Sequence, residues 1–306
     1  MNIAIASPPG SMDPGVRAVA SCFTARAGME RLFADCFRQA IDEVLDGQRT
    51  GRYDLTAADV ESTEKTYLGT KVEIIVRAAF SLLRGRYMDY LVDGHEVDAK
   101  FTMRKNWSIP AEAVGHICLL MTADDAASFF RVGLVRITES ALNQGRNRDG
   151  KRTLSKHGRE STFWIVPDGR LTENLLLHLP AADREKIFSH PGGQTRINEL
   201  FRRVHGRIVN RSTVLTVAKQ DDSPKRVRDA RLRLRAQGII ILGHQRGHQR
   251  IAGELGLPVP TRGEWVAARV TPASYGFGGR VAFIGEIPYR TAAPEDAETE
   301  APKVTE

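Results

Sequence analysis

The stretch YMDYLVDGHEVDAKF, residues 87–101, limits the possible folds more than any other part of the chain. Asp93-Gly94 lies between two runs that alternate apolar and polar residues. This pattern predicts a β-hairpin with a type I′ turn, which needs positive φ at both central residues. With a two-residue loop, the expected cross-strand pairs are Val92 with His95, Leu91 with Glu96, Tyr90 with Val97 and Asp89 with Asp98.

The last of these pairs brings two carboxylates together. Directly opposed side chains lie roughly 5 Å apart, and like charges at that distance destabilise a sheet. Lys100 projects from the same face as Asp98, because it follows two residues later on the strand. A divalent cation between Asp89 and Asp98 would remove the repulsion, and hard oxygen ligands of this kind suit Mg²⁺. On the pattern alone, a solvated hairpin face with incidental charges is an equally good interpretation.

Composition narrows the class of protein. The chain has 306 residues and a formal net charge of +7, with a pI of about 9.5, which favours a polyanionic partner. Three scattered cysteines, Cys22, Cys36 and Cys118, have neither metal-binding spacing nor the number for a disulfide framework, as expected in a reducing cytoplasm. No apolar run approaches the roughly 20 residues of a membrane span, so we expect no membrane association.

The first half of the chain predicts helices around one mixed sheet. MERLFADCFRQAIDEVLDG has apolar pairs at helical spacing and ends at Gly47. TKVEIIVRAAFSLL predicts a second helix with Thr70 as its N-cap, so Glu73 is either half of a capping box or a third carboxylate for the hairpin site. HICLLMTADD and ASFFRVGLVRIT predict strands after the hairpin. The expected fold class is therefore α/β (α+β) with a mixed sheet.

The second half predicts a winged helix-turn-helix. Ser212 can cap a short helix, TVLTVAKQ, and Ser223-Pro224 then starts the helix PKRVRDARLRLRAQ after a tight turn. The basic residues of this helix are Lys225, Arg226, Arg228, Arg231 and Arg235. The strand GIIILGH can begin a β-wing, which would place the basic helix in the major groove of DNA. The alternative is a structural helix with a solvated basic face.

Ten segments between about residues 40 and 270 carry a more specific signal. They are, in order, VLDGQRTGRY, TEKTYLGTKVEI, VDAKFTM, GHICLL, ENLLLHLP, INELFRRVHGRIVNR, VAKQDD, KRVR, GIIILGHQ and LGLPVPTRGEWVAARV. This series resembles the NaeI-type restriction endonucleases. The resemblance implies a PD-(D/E)xK nuclease core joined to a winged-helix DNA-binding domain, in a Mg²⁺-dependent enzyme that binds two DNA duplexes, one as substrate and one as effector.

The resemblance also assigns roles to individual residues. It places Glu73, Asp89 and Asp98 at the acidic metal-site positions and Lys100 at the lysine position. The carbonyl oxygen of Ala99 is a further expected metal ligand. In this interpretation the cation activates a water molecule at the scissile phosphate, and Lys100 orients that water or helps to deprotonate it.

Several basic and amide side chains are expected to bind DNA. They are Arg49, Arg52, Lys105, Asn106, Arg148, Lys151, Lys225, Arg226, Arg228 and Arg231. The resemblance further implies a GC-rich palindromic target similar to GCCGGC, although this chain has MRKNWSIP where the family pattern has a slightly longer loop. A palindrome requires two-fold symmetry, so a homodimer is expected.

These interpretations predict five segments along the chain. They are a flexible N-terminal arm (1–27), an endonuclease domain (28–164), a linker within WIVPDGRLT (165–171), a winged-helix effector domain (172–290) and a disordered acidic tail (291–306).

Two other motifs do not predict a second chemistry. VLDGQR resembles the Lys-x-Asp-Gly motif of DNA ligases, but Val44 stands in the lysine position, so no amine nucleophile is available. His244 and His248 have His-x₃-His spacing without the glutamate of a zinc protease, and their glycine-rich surroundings favour an exposed polar loop.

The expected function is that of a type II restriction endonuclease that makes double-strand cuts. Two alternatives belong to other classes. One is a winged-helix regulator with an inactive nuclease core, and the other is a repair endonuclease that nicks one strand. The acidic residues and the lysine of the hairpin argue against an inactive regulator. A nicking enzyme would be recognised by nicked circular DNA that accumulates without linear product.

Overall fold

The computed structural model describes residues 13–220 and 222–304. Its chain forms two compact units. Unit 1 comprises the residues up to Val44 together with Leu55–Glu173, and unit 2 comprises Leu45–Asp54 together with the residues from Asn174 onward. A ten-residue segment from the first half of the sequence therefore packs with the second unit.

Unit 1 is built on a six-stranded mixed sheet. Its strands lie in the order β1-β2-β3-β5-β6-β9, with β3 and β5 parallel and all other neighbours antiparallel. The bounds are β1 Leu83–Arg84, β2 Tyr90–Val92, β3 His95–Thr102, β5 Ile117–Asp124, β6 Phe129–Arg136 and β9 Phe163–Arg170. This arrangement confirms the predicted mixture of helices with a mixed sheet.

Helices and a small second sheet complete this unit. The helices are α1 Pro14–Thr24, α2 Met29–Leu45, α4 Ser62–Ala79 and α5 Lys156–Glu160. The three-stranded sheet has the order β4-β8-β7, with β4 Ser108–Ile109, β7 Leu142–Arg146 and β8 Arg152–Leu154. Phenylalanines from α1, α2 and the end of α4 pack together, with Phe33 and Phe80 ring centres 4.5 Å apart, so the helices share one apolar core.

The N-terminal arm predicted for residues 1–27 is wrong over its second half. Residues 14–24 form α1, and the Asp13 carboxylate caps this helix by accepting a hydrogen bond from the Val16 N–H at 2.9 Å. Val19 and Phe23 are buried, so an apolar stripe follows the Pro14-Gly15 pair directly. Residues 1–12 lie outside the described part of the chain.

The helix predicted from Thr70 begins eight residues earlier. Its first turn is closed by the Glu61 N–H, which donates to Glu64 Oε2 at 2.9 Å. Leu68 is fully buried, so the apolar stripe extends upstream of Thr70. The Thr70–Glu73 capping box is therefore wrong, and Glu73 lies in the middle of a long helix.

The predicted linker 165–171 is also wrong, because most of it belongs to β9. Val166 pairs with Val132 of β6, and the Pro167 carbonyl accepts a hydrogen bond from Arg131 Nε at 2.8 Å. Proline is tolerated because β9 is an edge strand whose pairing is already irregular. The division between the two units falls after Glu173 instead.

Unit 2 combines helices with a five-stranded antiparallel sheet. Its helices are α3 Gly47–Thr50, α6 Ala181–Phe188, α7 Gly193–Arg203, α8 Arg211–Ala218, α9 Ser223–Leu234 and α10 Arg246–Glu254. Its strands are β10 Ile208–Asn210, β11 Ile239–Leu242, β12 Glu264–Pro272, β13 Ala282–Ile284 and β14 Ile287–Thr291. Strand β12 pairs with both β10 and β11, and α7, α8 and α9 pack over a common apolar cluster.

Two further predictions about this unit are wrong. The tail 291–306 is ordered over its described residues, since Ala301 is buried and its N–H donates to the Arg235 carbonyl at 2.8 Å. Small apolar residues alternate with acids in the tail, so the apolar residues can pack while the acids stay available for ion pairs. Glu300 Oε1 lies 2.9 Å from Arg235 Nη2. His248 is buried in α10 rather than exposed in a loop, and its Nδ1 accepts from the Gly243 N–H at 3.0 Å.

None of the helices within residues 13–220 and 222–304 is long and apolar enough to cross a membrane.

Candidate active site

The hairpin forms with the predicted register. Tyr90 pairs with Val97, and the turn residues Asp93 and Gly94 have φ of 49° and 76°, as a type I′ turn requires. Strand β2 begins only at Tyr90, so the ladder stops one pair before the expected pairing of the two acids. Asp89 instead uses its side chain, because the Ala99 N–H donates to Asp89 Oδ2 at 2.7 Å.

Lys100 explains how two carboxylates can share this face of the sheet. Its Nζ lies 2.6 Å from Asp98 Oδ1, 3.1 Å from the Ala99 carbonyl oxygen and 3.9 Å from Asp89 Oδ2. The ammonium group therefore lies within 4 Å of oxygens of Asp98, Ala99 and Asp89, three of the four residues that the sequence predicts as metal ligands. Asp98 is almost fully buried, so this neutralisation takes place largely out of water.

Helix α4 brings Glu73 to the same cluster. The Tyr90 hydroxyl donates to the Glu73 carbonyl oxygen at 2.9 Å and fixes this helix to β2. Burial raises the pKa of the Glu73 carboxyl group, and the Asp89 carboxylate raises it further, while Lys100 opposes both effects. The four residues Glu73, Asp89, Asp98 and Lys100, distant in sequence, thus form one electrostatic group.

The charge states of the central pair follow from burial and proximity. Burial raises the pKa of Asp98, and Asp89 adds to this effect against the influence of Lys100. Burial acts to lower the pKa of Lys100, but the Asp98 and Asp89 carboxylates outweigh it and leave that pKa raised. Lys100 is therefore a stable ammonium ion at neutral pH, suited to stabilise negative charge.

One acid of the hairpin has a different role. Glu96 accepts hydrogen bonds from the backbone N–H groups of Arg86, Tyr87 and Met88 at 2.9, 3.1 and 2.8 Å. These bonds, with that from Met88 first, lower its pKa. Glu96 thus holds the loop that leads into Asp89. Its carboxylate has this structural role and is not one of the expected metal ligands.

The donor set fits a hard divalent cation. Carboxylate oxygens of Asp89 and Asp98 and the Ala99 carbonyl oxygen are the ligand types that Mg²⁺ prefers, with water and phosphate completing its shell. Among the described residues, no three His, Cys, Asp or Glu side chains form a ready-made metal centre. A cation here would consequently depend on main-chain, water or phosphate oxygens as well as on the two aspartates.

Sequence reasoning missed Cys118, which lies beside this cluster. Parallel pairing of β3 with β5 places Cys118 opposite Asp98, with Sγ 3.5 Å from Asp98 Oδ2. Its only sequence signal is its position in the apolar strand that follows the hairpin. The parallel register that sets this contact cannot be derived from a local pattern.

The residues predicted to bind DNA in unit 1 lie in loops that flank the strands of its small sheet. Arg148 and Lys151 are exposed in the turn between β7 and β8, where Asn147 closes the loop by hydrogen bonds with the Lys151 backbone. Lys105 is exposed in the loop before β4, while Asn106 Nδ2 donates to the Leu154 carbonyl of β8 at 3.1 Å. One three-stranded sheet therefore presents all four residues.

Arg49 and Arg52 lie in unit 2 rather than with the predicted endonuclease domain. Gly47 of the short helix α3 packs directly against Thr216 of α8, which explains why this segment joins the second unit. The Arg49 side chain is 84% exposed beside Asp46, whereas Arg52 Nε donates to the Leu45 carbonyl at 3.4 Å. Arg49 is consequently the more accessible of the two.

The four residues of helix α9 that were predicted to bind DNA fall into two groups, exposed residues and residues with contacts inside the protein. Lys225 and Arg228 are exposed on its outer face. Arg226 pairs with Asp222 at 3.2 Å, and Arg231 Nε donates to the Ile241 carbonyl of β11 at 2.8 Å. The last two therefore have contacts within the protein that the sequence did not predict.

Comparison with known proteins decides the family. The family model "Restriction endonuclease NaeI" matches residues 17–300. The chain belongs to the NaeI family of restriction endonucleases. A curated relative, the type II restriction enzyme NaeI of Lentzea aerocolonigenes, is 45% identical over 282 residues, which are 89% of this chain and 88% of the relative.

Family membership confirms the resemblance found in the sequence and the class of enzyme that it implied. The match covers both units and includes α1 from Arg17 onward, which the sequence had assigned to a loose arm. The carboxylate and lysine cluster is thus found in a chain whose family cleaves DNA at specific sites.

Proposed function

We propose that this chain is a Mg²⁺-dependent type II restriction endonuclease that makes double-strand cuts at a GC-rich palindrome. The observation that carries this proposal is the contact of Lys100 Nζ with Asp98, Asp89 and the Ala99 carbonyl in a member of the NaeI family. The acid-x-lysine sequence on β3, opposite an acid before β2, supports a nuclease core of the PD-(D/E)xK kind.

The residues of this site have distinct parts in the cleavage that we propose. A bound Mg²⁺ would supply positive charge at the scissile phosphate and lower the pKa of a water molecule. Asp89, Asp98 and the Ala99 carbonyl would hold that ion, and Glu73 would add negative charge on the side of α4. Lys100 keeps its ammonium group at the oxygen cluster, orients the attacking water and stabilises the charge that develops on the phosphate. The expected product carries a 5′-phosphate.

The second unit is proposed to bind DNA through a winged helix. The order α7, β10, α8, α9, β11, β12, with β12 between β10 and β11, supports this assignment. Lys225 and Arg228 on the outer face of α9 would meet the major groove and its phosphates. The exposed turn with Arg148 and Lys151 would approach the substrate duplex from unit 1.

A second DNA duplex in unit 2 would act as an effector, and a homodimer would match the symmetry of a palindrome. An effector must bind the active arrangement better than the inactive one. A coupling of about 1–3 kcal/mol gives roughly 5–150-fold activation.

The experiment is a time course with two sequenced plasmids that differ only in carrying one or two copies of the target. We expect linear products with Mg²⁺, no products with a chelator, and ends that map to one recurring palindrome. The two-site plasmid is expected to be cut faster, and a short duplex containing the site should accelerate cleavage of the one-site plasmid.

Three outcomes would contradict parts of this proposal. Nicked circles without linear DNA would indicate a strand-nicking repair enzyme. DNA binding without any cleavage would indicate a regulator with an inactive nuclease core. Equal rates on both plasmids, unchanged by added duplex, would leave unit 2 as an affinity module.

A further inference from the structure

Asp98 is held from two sides. Its Oδ1 accepts a hydrogen bond from Lys100 Nζ at 2.6 Å, and its Oδ2 lies 3.5 Å from the Sγ of Cys118. Asp98 and Cys118 are paired in the parallel ladder between β3 and β5. Their side chains therefore leave neighbouring strands on the same face, and the contact is fixed by the backbone.

The thiol is in the state needed to donate. Cys118 is fully buried. A cysteine side chain ordinarily carries its proton at neutral pH, so the group that faces Asp98 Oδ2 is an S–H. A thiol is a weak donor, but a carboxylate with little access to water is a strong acceptor.

The other cysteines lack this relation to the site. Cys22 is exposed, and Cys36 is buried on α2. Burial raises the pKa of Cys36 to about 12, and the Asp35 carboxylate on the same helix raises it further. Cys36 is therefore a matched control, since it is a buried cysteine of the same unit without a catalytic carboxylate.

We propose that Cys118 is a positioning residue, whose S–H donates to Asp98 Oδ2 and fixes the plane of the carboxylate that binds the divalent cation. This inference rests on the proposed nuclease function. Lys100 donates to Oδ1 of Asp98 only. The Cys118 contact adds a donor at Oδ2, so both carboxylate oxygens are held in position before the ion binds.

A purely structural role makes different predictions. Cys118 also packs in an apolar cluster with Trp107, Leu120 and Leu154 below the small sheet. If packing were its only role, a substitution that fills the same space would preserve metal binding. Serine, which keeps a donor but is more polar, would then be no better than alanine.

The experiment compares Cys118→Ser, Cys118→Ala and Cys118→Val with Cys36→Ala. The Mg²⁺ concentration that gives half-maximal cleavage is measured together with the maximal rate, and Mn²⁺ binding to the protein without DNA is measured by calorimetry. Outer partners of metal ligands typically contribute 10–100-fold in affinity. Because a thiol is a weak donor, we expect alanine and valine to weaken metal binding by about tenfold.

The serine variant is expected to stay within about threefold of the wild-type metal affinity, and Cys36→Ala is expected to lower only thermal stability. Wild-type metal binding in Cys118→Val, or equal losses in the serine and alanine variants, would overturn the proposal. If the variants do not fold, the infrared S–H band of the wild type still reports the contact, because Asp98→Asn should shift it. An unshifted band would overturn the proposal. Neither the infrared band nor the calorimetry requires DNA cleavage, so a failure of the proposed nuclease function can be told apart from a failure of this inference.

Discussion

Lys100 accounts for a hairpin that would otherwise carry two repelling acids. Its raised pKa keeps it charged, and its contacts with Asp89 and Asp98 replace the charge balance that a cation would provide. The Asp-Gly turn made this register predictable, since a turn type fixes the pairing beside it. The bond from Ala99 to Asp89 and the contact with Cys118 were not predictable, because they depend on where β2 ends and on a parallel neighbour.

A second charged pair at the residue scale gives a pH-dependent stability. Arg136 Nε lies 2.6 Å from Asp13 Oδ2, and its hydrogen bonds lower the pKa of Asp13 to about 2. The folded-state pKa lies below the unfolded value of about 3.9. The pair therefore stabilises the fold above about pH 4, and this contribution disappears as the pH falls towards 2.

We predict that Asp13→Asn lowers the free energy of unfolding at pH 7 by about 1 kcal/mol, a figure reduced because about a third of each side chain is exposed. Asparagine can still cap α1, so the loss isolates the ion pair. Chemical unfolding between pH 7 and pH 2 should show the difference vanish at the acid end. Asp35→Asn, in an exposed pair with Arg31 at 3.8 Å, is the control. A constant difference at every pH would contradict this account.

At the scale of elements, amphipathic spacing predicted the existence of helices better than their ends. Helix α4 was expected from Thr70, but its apolar stripe starts upstream at Leu68, across Gly69. The tail was mistaken for disorder because proline, alanine and acids dominate it, and α1 was missed because the residues just before it are rich in proline and glycine. Their few apolar residues, such as Ala301 and Phe23, nevertheless find a core, which composition does not reveal.

The outer face of α9 carries the prediction at this scale. Arg228 is exposed there, next to the 67% exposed Leu232. We predict that Arg228→Ala weakens binding of duplex DNA and reduces the slope of log K against log salt by about one, because one phosphate contact is lost. Binding is measured by fluorescence anisotropy at several salt concentrations.

Arg233→Ala is the matched control, since Arg233 lies about 140° around the same helix from Arg228. Its removal changes net charge equally and should leave the slope nearly unchanged. If both variants lose the same affinity for DNA, the effect comes from total charge, and the prediction that the outer face of α9 binds DNA is contradicted.

At the scale of the whole molecule, the carboxylate cluster and the basic helix lie in different units, as the sequence predicted. The carboxylate cluster belongs to unit 1, and the basic helix belongs to unit 2. The sequence did not predict that Leu45–Asp54 packs with the second unit, since this depends on the fit of Gly47 against Thr216. Arg49 and Arg52 therefore belong to the unit that we propose holds the effector duplex, and not to the unit that carries the carboxylate cluster.

The most direct test of this account compares two aspartates of the same hairpin in a plasmid cleavage and DNA-binding assay. Asp98→Asn removes a proposed metal ligand, whereas Asp93→Asn changes an exposed turn residue at a position where asparagine is equally suitable. We predict that Asp98→Asn lowers the cleavage rate by about a thousandfold or more while DNA binding persists, and that Asp93→Asn cuts normally. Cleavage by folded Asp98→Asn at more than a few per cent of the wild-type rate would contradict the assignment of the site.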